Sequence, residues 1–139
     1  IPSLDLPFEK RMQETLLHAI RSGLVKSAHD CSDGGLAVAL AECCISNQEH
    51  QIGATVKLND SIRPDCLLFG ESQSRVIVSA DQSSANDLEK IFGSAGIPIS
   101  RIGSVGGSRL VIESLIDIPL ARLADSFYHA MPRFMEKVG

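Results

Sequence analysis

A short polar stretch near the start of the chain carries most of the side chains that could do chemistry. Residues 28–35 read AHDCSDGG, and an apolar, alanine-rich run follows at once. Backbone N–H groups at a helix N-terminus bind anions. Gly34 and Gly35 would let a ligand approach the backbone, while Ser32 or Asp33 would cap the helix. The stretch therefore indicates either a phosphate-binding turn or a capped helix start, and both interpretations stay open.

Two neighbours in this stretch, His29 and Asp30, have the residue types of an acid/base pair. Successive side chains of a strand point to opposite faces, which argues against both acting on one atom. The remaining histidines do not show the spacing of zinc ligands, and the sequence has no G-x-S-x-G elbow. A transition-metal site and a serine triad are therefore disfavoured.

A second polar segment, GESQSR at residues 70–75, precedes a predicted strand. Arg75 would hold a carboxylate or a phosphate, and Glu71 would accept a hydrogen bond from a ligand. Alternatively, Glu71 and Arg75 form a structural ion pair.

A third segment, IGSVGGSR at residues 102–109, has the composition of a phosphate-binding loop. It lies between two predicted strands and is not followed by a helix. We therefore interpret it as a β-hairpin that turns at Gly106 and Gly107.

Composition limits the classes of partner. The 139 residues suit one domain, and 44% apolar residues are enough for one core. A net charge of −4 and an aromatic content of only five Phe and one Tyr argue against nucleic-acid binding. A few backbone N–H groups would still hold one small phosphorylated ligand. Neither a signal peptide nor an apolar run of about 20 residues is visible, so we expect no membrane partner.

The four cysteines at positions 31, 43, 44 and 66 form no CxxC motif. This pattern is typical of a reduced, cytoplasmic protein in which cysteine acts as a small apolar residue. The chain begins without Met, which we interpret as a piece of a longer protein.

Periodicity predicts alternating helices and strands. We expect helices at residues 8–24, 36–46, 83–92 and 119–131, and strands at residues 25–29, 51–58, 75–80, 98–105 and 109–114. In the first helix, Met12, Leu16, Leu17, Ile20 and Leu24 recur at helical spacing. The inner face of the last helix would consist of Leu120, Leu123, Ala124 and Phe127. This order predicts an α+β fold, a layered sandwich of helices on a mixed sheet.

Three segments together resemble a known family. They read VKSAHDCSDGGLAVALAECC at residues 25–44, LLFGESQSRVIVSA at 67–80 and ISRIGSVGG at 99–107. Their order and spacing resemble the C-terminal domain of the aminoimidazole ribonucleotide synthetase-related superfamily and, within it, the phosphoribosylformylglycinamidine synthase family. The resemblance covers about residues 7–135.

The resemblance implies a reaction of de novo purine biosynthesis. Formylglycinamide ribonucleotide, ATP and glutamine-derived ammonia give formylglycinamidine ribonucleotide, ADP and phosphate. In the family, most ligands of ATP and Mg²⁺ belong to N-terminal-type domains, whose signatures are absent from this sequence. The resemblance therefore implies that residues 1–139 are a single C-terminal-type domain, inactive alone, within an ATP-dependent C–N ligase.

The resemblance also implies partners: N-terminal-type domains of the same chain, a glutaminase subunit, a small accessory subunit and small nucleotide ligands. The tail at residues 131–135 resembles a subunit's C-terminus, which favours a multi-subunit parent. The motif at residues 29–36 resembles the second of two copies of the domain. This leaves open whether the chain lines the catalytic site or its pseudo-symmetric twin.

Site residues follow from the same resemblance. A phosphate-bearing ligand would face Ser32, Asp33, Gly34, Gly35, Glu71, Ser72, Gln73 and Arg75. His29 and Asp30 would shape the cleft, and we expect no catalytic residue and no metal ligand in this chain. The alternatives are a structural module that buttresses the catalytic domains without binding a ligand, and a metal or redox protein built on Cys31, Cys43 and Cys44.

Overall fold

The computed structural model describes residues 5–58, 63–71 and 73–138, with the side chains of 137 and 138 left out. The chain divides into two compact units, residues 1–39 with 68–101 and residues 40–67 with 102–139. The elements are α1 Leu6–Arg21, β1 Ser27–Asp30, α2 Gly35–Ile45, β2 Ala54–Val56, α3 Pro64–Phe69, β3 Val76–Ser79, a 3₁₀ turn Gln82–Ser84, α4 Ala85–Ser94, β4 Gly103–Val105, β5 Arg109–Ile112, β6 Ile116–Pro119 and α5 Leu120–Val138.

In the first unit, α1 begins where the sequence provides a cap. The Asp5 carboxylate accepts a hydrogen bond from the Phe8 N–H at 3.0 Å, which satisfies one free donor of the first turn. Pro7 lies in that turn, where its missing N–H costs nothing. The predicted helix is confirmed, with its start two residues earlier.

The core of the first unit joins α1 to α4. Its buried residues are Met12, Ala19, Leu88, Phe92 and Ile97. Leu17 and Ile20, although they recur at helical spacing, do not face this core, since they are 44% and 42% exposed. Met12 and Ala19, two turns apart, define the inward face instead.

The strands β1 and β3 pair antiparallel, with Ser27 opposite Ser79 and Asp30 opposite Val76. The ladder continues past the strand ends, where the Cys31 N–H donates to the Arg75 carbonyl at 3.0 Å. This pairing brings the two polar segments of the first unit side by side. β1 is mostly exposed.

The second unit holds a mixed sheet in the order β4-β2-β5-β6. β2 runs parallel to β5 and antiparallel to β4, while β5 and β6 are antiparallel. The predicted α+β fold with a mixed sheet is therefore confirmed.

The predicted hairpin between β4 and β5 is wrong, because β2 lies between them. Gly53, just before β2, donates its N–H to the Gly107 carbonyl at 2.8 Å and accepts from the Gly106 N–H at 2.7 Å. The connection thus passes over the end of β2. A Cβ on Gly53 would lie 2.3 Å from the Arg109 carbonyl oxygen, so this close crossing requires glycine. The hairpin instead joins β5 to β6, with Ser114 at φ 63°.

Two short elements, α3 and β6, were not predicted, and α5 is longer than expected. α5 continues through Pro132 to Val138. Phe127 does not face inward as predicted, since it is 57% exposed. The neighbouring Tyr128 is the half-buried residue, and its hydroxyl donates to the Ile45 carbonyl at 2.7 Å.

All residues of α2 are buried or half-buried, which agrees with its apolar, alanine-rich sequence. Among the described residues no disulfide joins the cysteines; Cys31 and Cys44 are buried, whereas Cys66 is exposed. Burial raises the pKa of the Cys44 thiol to about 11, so this thiol is held in its neutral form.

Candidate ligand cleft

A cleft of about 480 Å³ opens in the first unit. It lies where the end of β1 and the first turns of α1 meet residues 71 and 73–75, which we call the segment before β3. Its lining residues are Glu9, Met12, Asp30, Cys31, Ser32, Asp33, Glu71, Gln73, Ser74, Arg75 and Val76. Six of the residues predicted to bind or shape a ligand site are among them. Ser72, which was also predicted, lies outside the described residues.

The turn before α2 is held by the protein itself. The Gly34 N–H donates to Glu71 Oε1 at 3.0 Å, across 37 residues of sequence. A carboxylate at the first turn of a helix satisfies a free N–H and complements the helix dipole. Glu71 therefore takes the capping role that was predicted for Ser32 or Asp33. Its carboxylate accepts the hydrogen bond of an N–H group that was predicted to bind phosphate.

Gly34 and Gly35 both adopt positive φ, 76° and 71°. A Cβ on Gly35 would also lie 2.8 Å from the Leu68 carbonyl oxygen and from the Phe69 Cα atom. Backbone cannot move aside as a side chain can, so the turn needs glycine here for internal packing. Neither glycine lines the cleft.

The His29 ring lies closer to Asp30 than the alternation of side chains along a strand predicted. His29 Nδ1 is 2.6 Å from the Asp30 carbonyl oxygen and 3.8 Å from Asp30 Oδ1. The Ser32 hydroxyl donates to Asp30 Oδ2 at 2.6 Å, and this bond is the main reason that the pKa of Asp30 is lowered. Only Asp30 of the two lines the cleft.

On the opposite wall, the Ser74 hydroxyl donates to the Glu9 carboxylate, and this bond lowers the pKa of Glu9. Ser74 has φ 63°, a left-handed conformation that costs a non-glycine residue about 1–2 kcal/mol. No sequence signal predicts this contact, because Glu9 resembles an ordinary solvated position on α1 and lies 65 residues away from Ser74.

Arg75 is the one cation among the lining residues. Its Nη1 atom is 3.5 Å from the Gly70 carbonyl oxygen. Within the described part of the chain, no ion pair joins Arg75 to Glu71, so the predicted Glu–Arg pair is not formed. The guanidinium lies close enough to the buried Cys31 to affect its thiol, although burial dominates and raises the pKa of Cys31.

The charge balance of the lining limits what the cleft binds alone. Four carboxylates line it, those of Glu9, Asp30, Asp33 and Glu71, against one guanidinium. This excess of negative charge repels a bare phosphate. The described residues contain no group of three or more His, Cys, Asp or Glu side chains arranged to hold a metal ion. A phosphate-bearing ligand would therefore need cations from outside this chain.

Comparison with known protein families gives one match over most of the chain. The family described as AIR synthase related protein, C-terminal domain, matches residues 2–114. No described helix has the length and apolar character to cross a membrane.

Curated relatives and solved structures agree with this match. The chain is 43% identical, over 98% of its length, to phosphoribosylformylglycinamidine synthase subunit PurL of Anaeromyxobacter sp. strain Fw109-5. It is 41% identical, over 96% of its length, to the PurL subunit of Brucella ovis. It spans about a fifth of these relatives, 19% and 18%.

Among solved structures, phosphoribosylformylglycinamidine synthase II of Thermotoga maritima matches with a TM-score of 0.74 and 26% identity. The match covers 89% of this chain and 22% of that one. PurL of T. maritima complexed with ATP matches with a TM-score of 0.70 and 25% identity, over 88% of this chain and 23% of that one.

Proposed function

This chain belongs to the family of AIR synthase related protein C-terminal domains, and from that premise we propose that it is one C-terminal-type domain of a phosphoribosylformylglycinamidine synthase. The parent enzyme would convert formylglycinamide ribonucleotide, ATP and glutamine-derived ammonia to formylglycinamidine ribonucleotide, ADP and phosphate in cytoplasmic purine biosynthesis. The observation that carries the proposal is 43% identity over 98% of the chain to a PurL subunit.

ATP and Mg²⁺ do not fit the described residues of this domain by themselves. The cleft is lined by four carboxylates and one guanidinium, and no three-residue metal cluster lies among the described residues. Other domains of the parent, which is about five times longer in the relatives, would supply the groups that hold both. This domain would therefore be inactive alone, with the N-terminal-type domains, the glutaminase subunit and the accessory subunit as its partners.

The proposed role of the chain's residues is binding and orientation. Arg75 is the lining cation that would contact an anionic group of the ligand, and Ser32, Asp33 and Gln73 would donate or accept hydrogen bonds beside it. Gly34, Gly35 and Glu71 would act indirectly, because they contact each other or neighbouring backbone. Ser72 remains a predicted ligand residue.

The experiment uses the full-length parent subunit with its glutaminase. Formation of formylglycinamidine ribonucleotide by the unmodified enzyme tests the activity itself. Arg75→Met removes the charge and keeps much of the apolar stem, and we expect it to weaken binding of a phosphorylated ligand about 10-fold or more. Arg101→Met is the matched control, because Arg101 pairs with Glu89 on the surface of the same unit.

The second candidate is a buttress that binds no ligand. It is favoured by the internal use of the predicted phosphate-binding turn, where the Gly34 N–H already has an acceptor. A buttress predicts that Arg75→Met leaves the affinity per folded molecule unchanged. Calorimetric titration of ATP and of formylglycinamide ribonucleotide into the parent and its variants separates the two candidates.

A further inference from the structure

The segment before β3 contacts the rest of the first unit at three described points. The Glu71 carboxylate accepts from the Gly34 N–H, and the Arg75 carbonyl accepts from the Cys31 N–H. Both contacts lie on the wall that contains the start of α2. The third contact, from the Ser74 hydroxyl to the Glu9 carboxylate, ties the segment to α1 on the other wall.

Among the described residues of this segment, Ser74 has the backbone conformation that most needs support. Its φ of 63° lies in the left-handed region, which a serine occupies stably only when its surroundings hold it there. The contact that holds its side chain comes from Glu9, which is also hydrogen-bonded to Gln13 on the next turn of α1. Gln13 thereby helps to orient the carboxylate.

The two residues that flank Ser74 are Gln73 and Arg75, and both line the cleft. The φ and ψ angles of Ser74 set the direction in which these neighbours leave the backbone. A change at Ser74 would therefore redirect the lining cation and the lining amide together.

We propose that Glu9 is a positioning residue, which acts through Ser74 to hold Gln73 and Arg75 in the orientation that binds the ligand of the cleft. The identity of the ligand in this inference rests on the proposed function. The claim that Glu9 holds Ser74 and its two neighbours in place does not depend on that function. Glu9 itself acts as an acceptor for the serine hydroxyl, so its hydrogen-bonding oxygen matters more than its charge.

The first test is hydrogen–deuterium exchange of the full-length parent, read on peptides that cover residues 73–79. Glu9→Ala is expected to raise exchange there about 10-fold. Glu9→Gln keeps an acceptor oxygen and should restore slow exchange. Glu14→Ala is the matched control, since Glu14 lies on the same helix and pairs only on the surface with Lys10.

The second test is a double-mutant cycle in the enzyme assay. Glu9→Ala and Ser74→Ala are each expected to raise the KM for formylglycinamide ribonucleotide or for ATP about 3- to 30-fold, with kcat changed less than about twofold. The double variant should be no worse than either single one, because both changes break one interaction.

The exchange measurement would overturn the proposal if the rate at residues 73–79 were unchanged in Glu9→Ala, or if Glu9→Gln failed to restore slow exchange. The enzyme assay would overturn it if the effects of the two single variants on KM multiplied in the double variant. Faster exchange in Glu9→Ala with an unchanged KM in an active enzyme would also overturn it. Failure of the proposed function has a different signature, since the unmodified parent would then form no formylglycinamidine ribonucleotide. In that case the exchange measurement with its rescue decides the role of Glu9 on its own.

Discussion

The Gly34–Gly35 and Gly106–Gly107 pairs have the same composition but need glycine for different reasons. At Gly35 a Cβ would strike the backbone of Leu68 and Phe69, and the φ angle is positive as well. At Gly107 the φ angle is also positive, but a Cβ would meet nothing within 4 Å. A diglycine in a sequence therefore indicates an unusual backbone, and only the surrounding structure shows whether it also permits a close approach.

The largest effect should come from Gly35→Ala. The added methyl group combines a clash against immobile backbone with left-handed strain, so we expect a loss of about 2–5 kcal/mol in the free energy of unfolding, measured in urea. Gly93→Ala is the control: its Cβ has open space within α4, and alanine should stabilise by about 0.5–1 kcal/mol. Equal stability of Gly35→Ala and the unmodified chain would remove the distinction between the two glycine pairs.

Gly107→Ala should cost less, about 1–2 kcal/mol, because only the left-handed conformation opposes it. Gly107→Asn should recover part of this loss, since asparagine tolerates that region better. Thermal unfolding of the three proteins tests the order. A loss as large as that of Gly35→Ala would show that the second turn is as tightly enclosed as the first.

Glu71→Ala removes the acceptor of the Gly34 N–H and should cost about 0.5–1.5 kcal/mol. Glu71→Gln keeps an acceptor and should stay within a few tenths of a kcal/mol. The amide exchange rate of Gly34, followed by NMR, should rise only in the alanine variant. If both variants exchange alike, Glu71 does not cap α2.

The smallest effect concerns Asp30. The Ser32 hydroxyl lowers the pKa of this carboxyl group, so the folded state favours its charged form. The resulting stabilisation is present above the unfolded pKa and is lost as the pH falls below about 4. Ser32→Ala should raise the pKa of Asp30 towards its ordinary value in an NMR titration, and an unchanged pKa would contradict the hydrogen bond.

The sequence predicted most helices and strands of both units, because their apolar residues follow clear periods. It failed where a distant contact decides the outcome. The hairpin at Gly106–Gly107 looked local, but Gly53 inserts β2 between the two strands. Similarly, Ser32 and Asp33 looked like the cap of α2 because they are adjacent to it, whereas the observed acceptor, Glu71, comes from another segment.

The two polar segments of the candidate site could be predicted from the sequence, but the contribution of α1 to its wall could not. The segments carried recognisable motifs, and pairing of β1 with β3 brought them together. Glu9 had no such signal, since one glutamate on an amphipathic helix resembles any solvated charge. The negative balance of the lining was equally hidden, because it appears only when Glu9, Asp30, Asp33 and Glu71 are counted around one cleft.

The position of β2 between β4 and β5 also has a consequence during synthesis on the ribosome. Residues 54–56 are made first, but both strands that pair with them lie at residues 103–112. At about 5–20 residues per second, β2 would wait roughly 2–9 seconds for β4, the first of its partners. During that interval its two edges are open to other chains, so the nascent protein is most vulnerable to aggregation before residue 103 emerges.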